Sequence, residues 1–478
     1  MEKVAIIGAG PGGLVVSRFL KSNGFLPVIF ESHSSVGGQW DYTNPNSGVW
    51  PQMVTNTYLE ATRFSDLEYP DGTSLFPHNR VVLQYLHDYA STFELRPNLN
   101  FGCTLKHLER KQENYVLRFE CGGKTFTEIF SKVVIATGRY NSPFVPDIRG
   151  IGSFKGDVVH TFEYKDPYKY MGKNVVVAGS SISALEIASD LSMLGANKVY
   201  LAQRRQRYVF PKMVKGVPLE YYVFNYGDAV VLADGTPKEI LDIGKTSTYK
   251  YAGDPSRYGT PKVNPDFEKA GATGSQHYLN LVAEGRVLPM PWFHEVSSDQ
   301  ARMTDGTILD LDAIMFGTGF KLDLPFLSKD IAAILGVSSK GLDLHNFTFH
   351  PDLPGLAVIG QWSQQGSYPT VLEQQARYIA YSWGGLVEET EEHLRAGVKA
   401  CHDEGHHEDY RNQNEMALRF ARLSGTDPIL KCDKYLRETL KDYATTSLLY
   451  RIVGPDAFCD GVARLQKQQK RYGPLQLA

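Results

Sequence analysis

Two short runs of small residues carry the chemistry that this chain states most openly. The first is Gly8-Ala-Gly10-Pro-Gly12-Gly13 and the second is Gly179-Ser180-Ser181-Ile-Ser183-Ala184. Each follows an apolar run of strand length and precedes a helical apolar repeat, the arrangement that delivers a pyrophosphate to a helix N-terminus. In the first run Gly8 makes the tight turn, Gly10 lets backbone approach the phosphates, and Gly13 lets helix pack closely on strand. In the second run Ser181 and Ala184 replace the corresponding glycines, a less open version of the same plan. The residue that ends the next strand then discriminates between ligands. Glu31 ends the first such strand, where an acid bonds a ribose 2′-hydroxyl and repels a 2′-phosphate. Arg204 and Arg205 end the second, where a basic pair suits that phosphate. The simplest pair of occupants is FAD at the first position and NADPH at the second.

The elements that must hold these residues follow from periodicity. Lys3–Ile7, Pro27–Phe30, Lys132–Gly138, Lys173–Ala178 and Lys198–Gln203 read as buried strands, and Leu14–Leu20 and Leu185–Leu191 as helices. Alternating runs between residues 101 and 130 predict an antiparallel meander. Gly38-Gln39-Trp40 and Thr137-Gly138 are further places where backbone can lie against a cofactor. Pro143, Pro146 and Gly150 mark a domain crossing. The fold class is therefore α/β, with two Rossmann-like dinucleotide-binding domains and the NADPH domain inserted into the FAD domain. The FAD-binding domain is expected over 1–150 and 313–478, the second part ending in a C-terminal helical extension, and the NADPH-binding domain over 151–312. The stretch from Tyr208 to Pro265 shows no clear period and reads as a long functional loop or lid. Its aromatics Tyr221, Tyr222, Phe224 and Tyr226 either line a substrate path or pack as ordinary aromatics, and substrate choice is expected here and around Tyr58.

Composition narrows the field by exclusion. Fifty basic against fifty-three acidic side chains give a net charge of -3, with no footprint for nucleic acid or an anionic membrane. No apolar run reaches bilayer length and the N-terminus lacks a signal-peptide pattern, so a cytoplasmic protein without a membrane anchor is expected. The five cysteines contain no C-x-x-C pair, consistent with reduced thiols. Cys401, His402, His406 and His407 match no zinc signature and read as a solvated helix end, so no metal is expected.

Between the two turns lies Phe154-Lys-Gly156-Asp-Val-Val-His160-Thr-Phe-Glu-Tyr164. It fills every position of F-x-G-x-x-x-H-x-x-x-[Y/F], and with both turns in place the chain resembles the flavin-containing monooxygenases over roughly residues 2–380. Gly37-Gly38-Gln39-Trp40 is similar to the family's G-G-x-W, Phe316-Gly317-Thr318-Gly319-Phe320 to its F-A-T-G-Y, and Gln375-Ala376-Arg377 to its Q-[G/A]-R. The resemblance implies that NADPH reduces FAD and that the flavin takes dioxygen to a C4a-(hydro)peroxide. One oxygen atom then passes to a soft nucleophile, an amine nitrogen or sulfide sulfur of a small molecule. It implies cofactor contacts from Thr57, Thr318, Gly319 and Gln375. Asn56 alone reads as a turn asparagine, but the family's T-N-T segment makes it the residue beside the oxygenated flavin. His160 and Gly156 are expected to be an interdomain hinge, since nothing places the imidazole beside substrate. A homodimer is compatible with the sequence, which does not test it.

Three alternatives stay open. One is Baeyer–Villiger insertion beside a ketone, against which Tyr164 counts, because tryptophan is expected there in that branch. A second is an NADPH-dependent flavin disulfide reductase, which would need a cysteine pair beside the flavin. The third is a non-catalytic dinucleotide sensor.

Overall fold

The apolar runs at 3–7 and 174–178 each become the centre of a parallel five-stranded sheet. The computed structural model describes residues 1–403, 411–430 and 434–474. In the first sheet the strand order is Leu356–Val358, Lys132–Ile135, Lys3–Ile7, Leu26–Phe30, Leu99–Asn100. In the second it is Val287–Met290, Lys198–Ala202, Asn174–Ala178, Ala313–Phe316, Asp157–His160. Central strands buried on both faces need continuous apolar sequence, which is why Val4, Ile6, Val175 and Val177 are all fully buried.

Helix Pro11–Ser22 starts with proline at its first turn, where the missing N–H costs nothing, and buries Leu14, Val15, Phe19 and Leu20. That face packs on Tyr368–Trp383, a helix buried nearly all round. The meander appears as Cys103–Lys111, Asn114–Cys121 and Lys124–Phe130, antiparallel throughout. Among the described residues, no helix is long and apolar enough to cross a membrane.

Two expectations need correction. Strand Ala313–Phe316 is hydrogen-bonded inside the second sheet, so the second crossing between domains comes after Phe316 and not at residue 312. The stretch 208–265 is not a loop. It contains helices Tyr226–Asp234 and Pro237–Ser247, the latter opened by a capping box between Thr236 and Glu239. Period failed here because Tyr226–Asp234 packs against the distant helix Gln413–Leu423, tying the inserted domain to the C-terminal extension. Its backbone is fixed from the same side, with Tyr226 N–H donating to the Tyr443 carbonyl at 3.0 Å. The aromatics are packing residues: Tyr221 lies 5.3 Å from the Tyr58 ring, Tyr222 stacks on Tyr251, and the Tyr226 hydroxyl donates to Asp427.

Candidate active site

Both turns open onto one cavity of about 1500 Å³, which also takes in Asn56 and Thr57. That exceeds the ~300–1,000 Å³ of an ordinary single-ligand site. The first turn supplies Gly8, Gly10 and Gly12, and the chain behind it supplies Gly38, Gln39 and Trp40. The second supplies Gly179, Ser180, Ser181 and Ser183. Thr137 with Gly138 and Thr318 with Gly319 lie at equivalent strand ends, one in each sheet, and also line the cavity. Gly138 and Gly319 have φ of +75° and +87° with no heavy atom within 4 Å of where a Cβ would sit, so each leaves open space at the wall.

The helix starts show what the wall is built to receive. Gly10 caps the first helix and Ser181 the second, and neither contributes a side-chain cap hydrogen bond. Glycine has no cap to give; serine has one and does not use it. The leading N–H donors of both helices thus stay available to an anion, as a pyrophosphate requires. Arg139 Nη1 and Asn141 Oδ1 are buried in the same wall and find no hydrogen-bond partner among the described residues.

Charge separates the two ends. The Glu31 carboxylate is 6% exposed, with Oε2 accepting from Ala9 N–H at 2.7 Å and Oε1 from His33 N–H at 2.8 Å. Two backbone donors hold it beside the first turn. At the other end Arg204 lies over the Trp292 ring, Arg205 donates to the Lys269 carbonyl at 2.9 Å, and Arg207 donates to Ser180 Oγ at 3.3 Å. All three arginines line the cavity. Arg207 was missed in the sequence although it ends the run Arg204-Arg205-Gln206-Arg207; only the fold shows that it reaches back to the glycine turn. The residues present therefore fit FAD at the first position and a 2′-phosphorylated dinucleotide at the second.

Two of the expected cofactor residues lie away from the wall. Gln375 is fully buried: Oε1 accepts from Gly360 N–H, and Nε2 donates toward Thr348 Oγ1 and the Phe347 and Val358 carbonyls. It braces the returning strand Leu356–Val358 and does not touch the cavity. Gly13 sits behind the first turn, where a Cβ would lie 1.9 Å from the Gly8 carbonyl oxygen.

Within the 154–164 stretch, Asp157–His160 is the edge strand of the second sheet. A Cβ on Gly156 would fall 2.3 Å from the Asp312 carbonyl oxygen. His160 Nδ1 accepts from Phe162 N–H at 3.1 Å, which leaves Nε2–H to donate to the Gly319 carbonyl at 3.1 Å. Burial lowers its pKa, so the ring is neutral and structural. Tyr164 donates to Asp190 at 2.9 Å and packs edge-on against Trp50.

Asn56 lines the cavity, and its side chain forms no hydrogen bond among the described residues. Its neighbours are held from the inserted domain: Lys212 Nζ donates to the Thr55 carbonyl at 3.2 Å, and Tyr58 N–H donates to Glu220 at 2.9 Å. No sequence signal marks Lys212 or Glu220, because their partners are backbone atoms far along the chain.

Cys103 lines the cavity and faces Cys121 across the meander, and burial with Cys121 beside it pushes the Cys103 thiol up to about 12. That is the opposite of a reactive thiolate, which weighs against a disulfide reductase. Cys401 is buried and donates to the Leu342 carbonyl, and His402 meets Asp343 at 3.0 Å. His406 and His407 lie outside the described residues. A different trio, His345, Glu389 and His393, brings its donor atoms within 4.8 Å. The Tyr378 hydroxyl also donates to Glu389, so the group ties helix Tyr368–Trp383 to helix Glu391–Asp403.

The flavin-binding monooxygenase-like family model matches residues 1–424. A rabbit (Oryctolagus cuniculus) flavin-containing monooxygenase 5 is 29% identical over 416 residues, covering 80% of this chain and 74% of the relative. Among solved structures, S-allyl-L-cysteine S-oxygenase from Allium sativum superposes with a TM-score of 0.66 at 21% identity, covering 98% of this chain and 99% of that one. A cyclohexanone monooxygenase gives 0.67 at 15% identity, covering 89% and 97%.

Proposed function

The chain belongs to the flavin-binding monooxygenase-like family, and from that premise we propose an FAD- and NADPH-dependent enzyme that oxygenates an amine nitrogen or a sulfide sulfur of a small molecule. Membership makes it a flavin-dependent oxidoreductase. The observation that carries the finer reading is the continuity of one cavity from the Glu31 end, past Asn56, to the three arginines. The residues that would hold FAD, those that would hold NADPH, and Asn56 all line this cavity.

Bound flavin supplies the hydride acceptance and dioxygen chemistry that no side chain here can perform. The protein supplies position and exclusion. The two uncapped helix starts hold pyrophosphates. Glu31 selects a ribose hydroxyl at one end, and Arg204 with Arg207 selects a phosphate at the other. The Asn56 amide offers a donor and an acceptor where charge changes during oxygen transfer. Neutral His160 holds the Gly319 carbonyl and moves no proton.

The test is oxygen transfer itself. Purified protein should carry flavin and consume NADPH with dioxygen while giving an N-oxide or sulfoxide, identified by mass spectrometry. Asn56→Ala should keep flavin yet release hydrogen peroxide in place of product, by on the order of tenfold for a lost polar contact. Unchanged coupling would remove Asn56 from the site. Ester formation from cyclic ketones without sulfoxidation would replace this reading with Baeyer–Villiger chemistry.

A further inference from the structure

The arm of first-domain chain that carries Asn56 hangs from the inserted domain at four backbone atoms. Lys165 Nζ donates to the carbonyls of Ser47 at 2.7 Å and Val49 at 2.5 Å. Lys212 Nζ donates to the Thr55 carbonyl at 3.2 Å, and Glu220 Oε1 accepts from Tyr58 N–H at 2.9 Å. Between and beside these points the arm presents Trp50, Met53, Asn56 and Thr57 to the cavity.

These are costly contacts. Glu220 is buried, and its second oxygen has no hydrogen-bond partner among the described residues. Lys165 forms no ion pair among the described residues, and burial lowers its pKa to about 8. Removing a charge from water to hold neutral backbone opposes stability unless the geometry serves something else. Here it serves the placement of another domain's chain.

Lys212 has a second contact that gives the suspension a direction. Its Nζ lies 3.5 Å from Glu186 Oε2, and the other oxygen of Glu186 accepts from Ser275 at 2.7 Å. Glu186 belongs to helix Ile182–Met193, the helix whose first turn faces the second nucleotide position. The physical sequence is therefore helix, Glu186, Lys212, Thr55 carbonyl, Asn56.

We propose that Lys165, Lys212 and Glu220 are positioning residues for Asn56, and that the Glu186–Lys212 contact makes the order of the arm depend on occupancy of the second nucleotide position. The inference rests on the reading of Asn56 given above and deepens it. Linkage requires the converse: whatever factor nucleotide adds to the order of the arm, an ordered arm adds to nucleotide affinity.

Amide hydrogen exchange in residues 50–60 reads the arm without turnover. In the flavin-loaded protein, NADP⁺ should slow exchange at Tyr58 N–H by on the order of tenfold, a typical coupling between sites. Lys212→Met should abolish that slowing, keep flavin content, and weaken NADP⁺ binding by a similar factor; Lys212→Arg should restore both. Glu186→Gln, which leaves the Thr55 contact in place, should lose the nucleotide dependence while keeping the basal protection. It also serves if Lys212→Met fails to fold. Lys165→Met should raise exchange around Ser47 and Val49 with or without nucleotide. Wild-type protection in Lys212→Met and Glu186→Gln would overturn the inference, even if Asn56→Ala uncouples. Normal coupling in Asn56→Ala would sink the underlying reading, while the exchange data would still decide whether the arm is suspended.

Discussion

The two glycine turns solve one packing problem in opposite ways. In the first, helix Pro11–Ser22 contributes the glycine: a Cβ at Gly13 would meet the Gly8 oxygen at 1.9 Å, and the neighbouring strand end carries Ala136, 3.6 Å from that point. In the second, the helix carries Ala184 and the strand end carries the glycine. A Cβ on Gly317 would lie 2.8 Å from the Ala184 Cβ. In the sequence Ala184 and Gly317 look like two separate departures from the family pattern. In space the two touch, so the methyl of Ala184 is met by a strand end that has none, whereas Gly13 is required by the Gly8 oxygen and has Ala136 Cβ at an ordinary 3.6 Å. The second turn is therefore differently fitted, with Ala184 accommodated by the glycine at position 317.

The largest expected effect breaks the first turn. Gly13→Ala should lose most bound flavin and several degrees of melting temperature, since backbone and not a movable side chain fills the space. Ala184→Gly should show neither loss; absorbance near 450 nm against protein, with a thermal scan, compares them. Full flavin content in Gly13→Ala would end the comparison.

Next in size is the contact between Ala184 and Gly317. Gly317→Ala alone should cost about 1–3 kcal/mol as overpacking. Built into Ala184→Gly, it should cost less but not nothing, because the 2.8 Å methyl contact goes while the Cα and N of residue 184 stay at 3.0 and 3.1 Å, and the double-mutant cycle in urea should return a coupling of about 1 kcal/mol. Additive losses would mean the two positions are independent.

The charged ends give a third contrast. Arg207→Ala should raise the KM for NADPH by on the order of tenfold, the worth of a lost charge-assisted hydrogen bond, with little change for NADH. Arg205→Ala should do less, because Arg205 bonds the Lys269 carbonyl whereas Arg207 bonds Ser180 of the turn itself. Equal effects on both nucleotides would take the arginines away from the 2′-phosphate.

The smallest effect lies where the domains meet. Burial raises the Glu220 pKa from an ordinary 4.5 to about 7, against a lowering from its backbone donors and Lys212. Between those values the folded chain holds a proton that the unfolded chain has released, so stability falls as pH rises through the window and is flat above it. Glu220→Gln should make the decline from pH 5 to 7.5 shallower without removing it, because Glu373 is raised to about 7 by burial beside Asp66. Denaturant midpoints across pH would show an unchanged slope if Glu220 contributes nothing.

Legibility in the sequence followed the range of the interaction. Strands, turns and the acid or base after each were readable because glycine, period and strand end are local features. Arg207 was readable in principle, as the third arginine of a short run. Gln375 misled because a family position was taken for a contact, whereas the fold spends its whole amide on the Gly360, Thr348, Phe347 and Val358 groups. Helix Tyr226–Asp234 had no readable period because its partner helix, Gln413–Leu423, lies far along the chain. Lys165, Lys212 and Glu220 were invisible, since a side chain that bonds remote backbone leaves no pattern in either stretch.

The order of the first sheet also fixes an order in time. Its strand Lys132–Ile135 is completed by Leu356–Val358, and the whole second sheet lies between them in the chain. During synthesis the first domain therefore waits with an unpaired apolar edge until the inserted domain has emerged. A nascent chain halted before residue 356 should be sticky where the finished protein is closed.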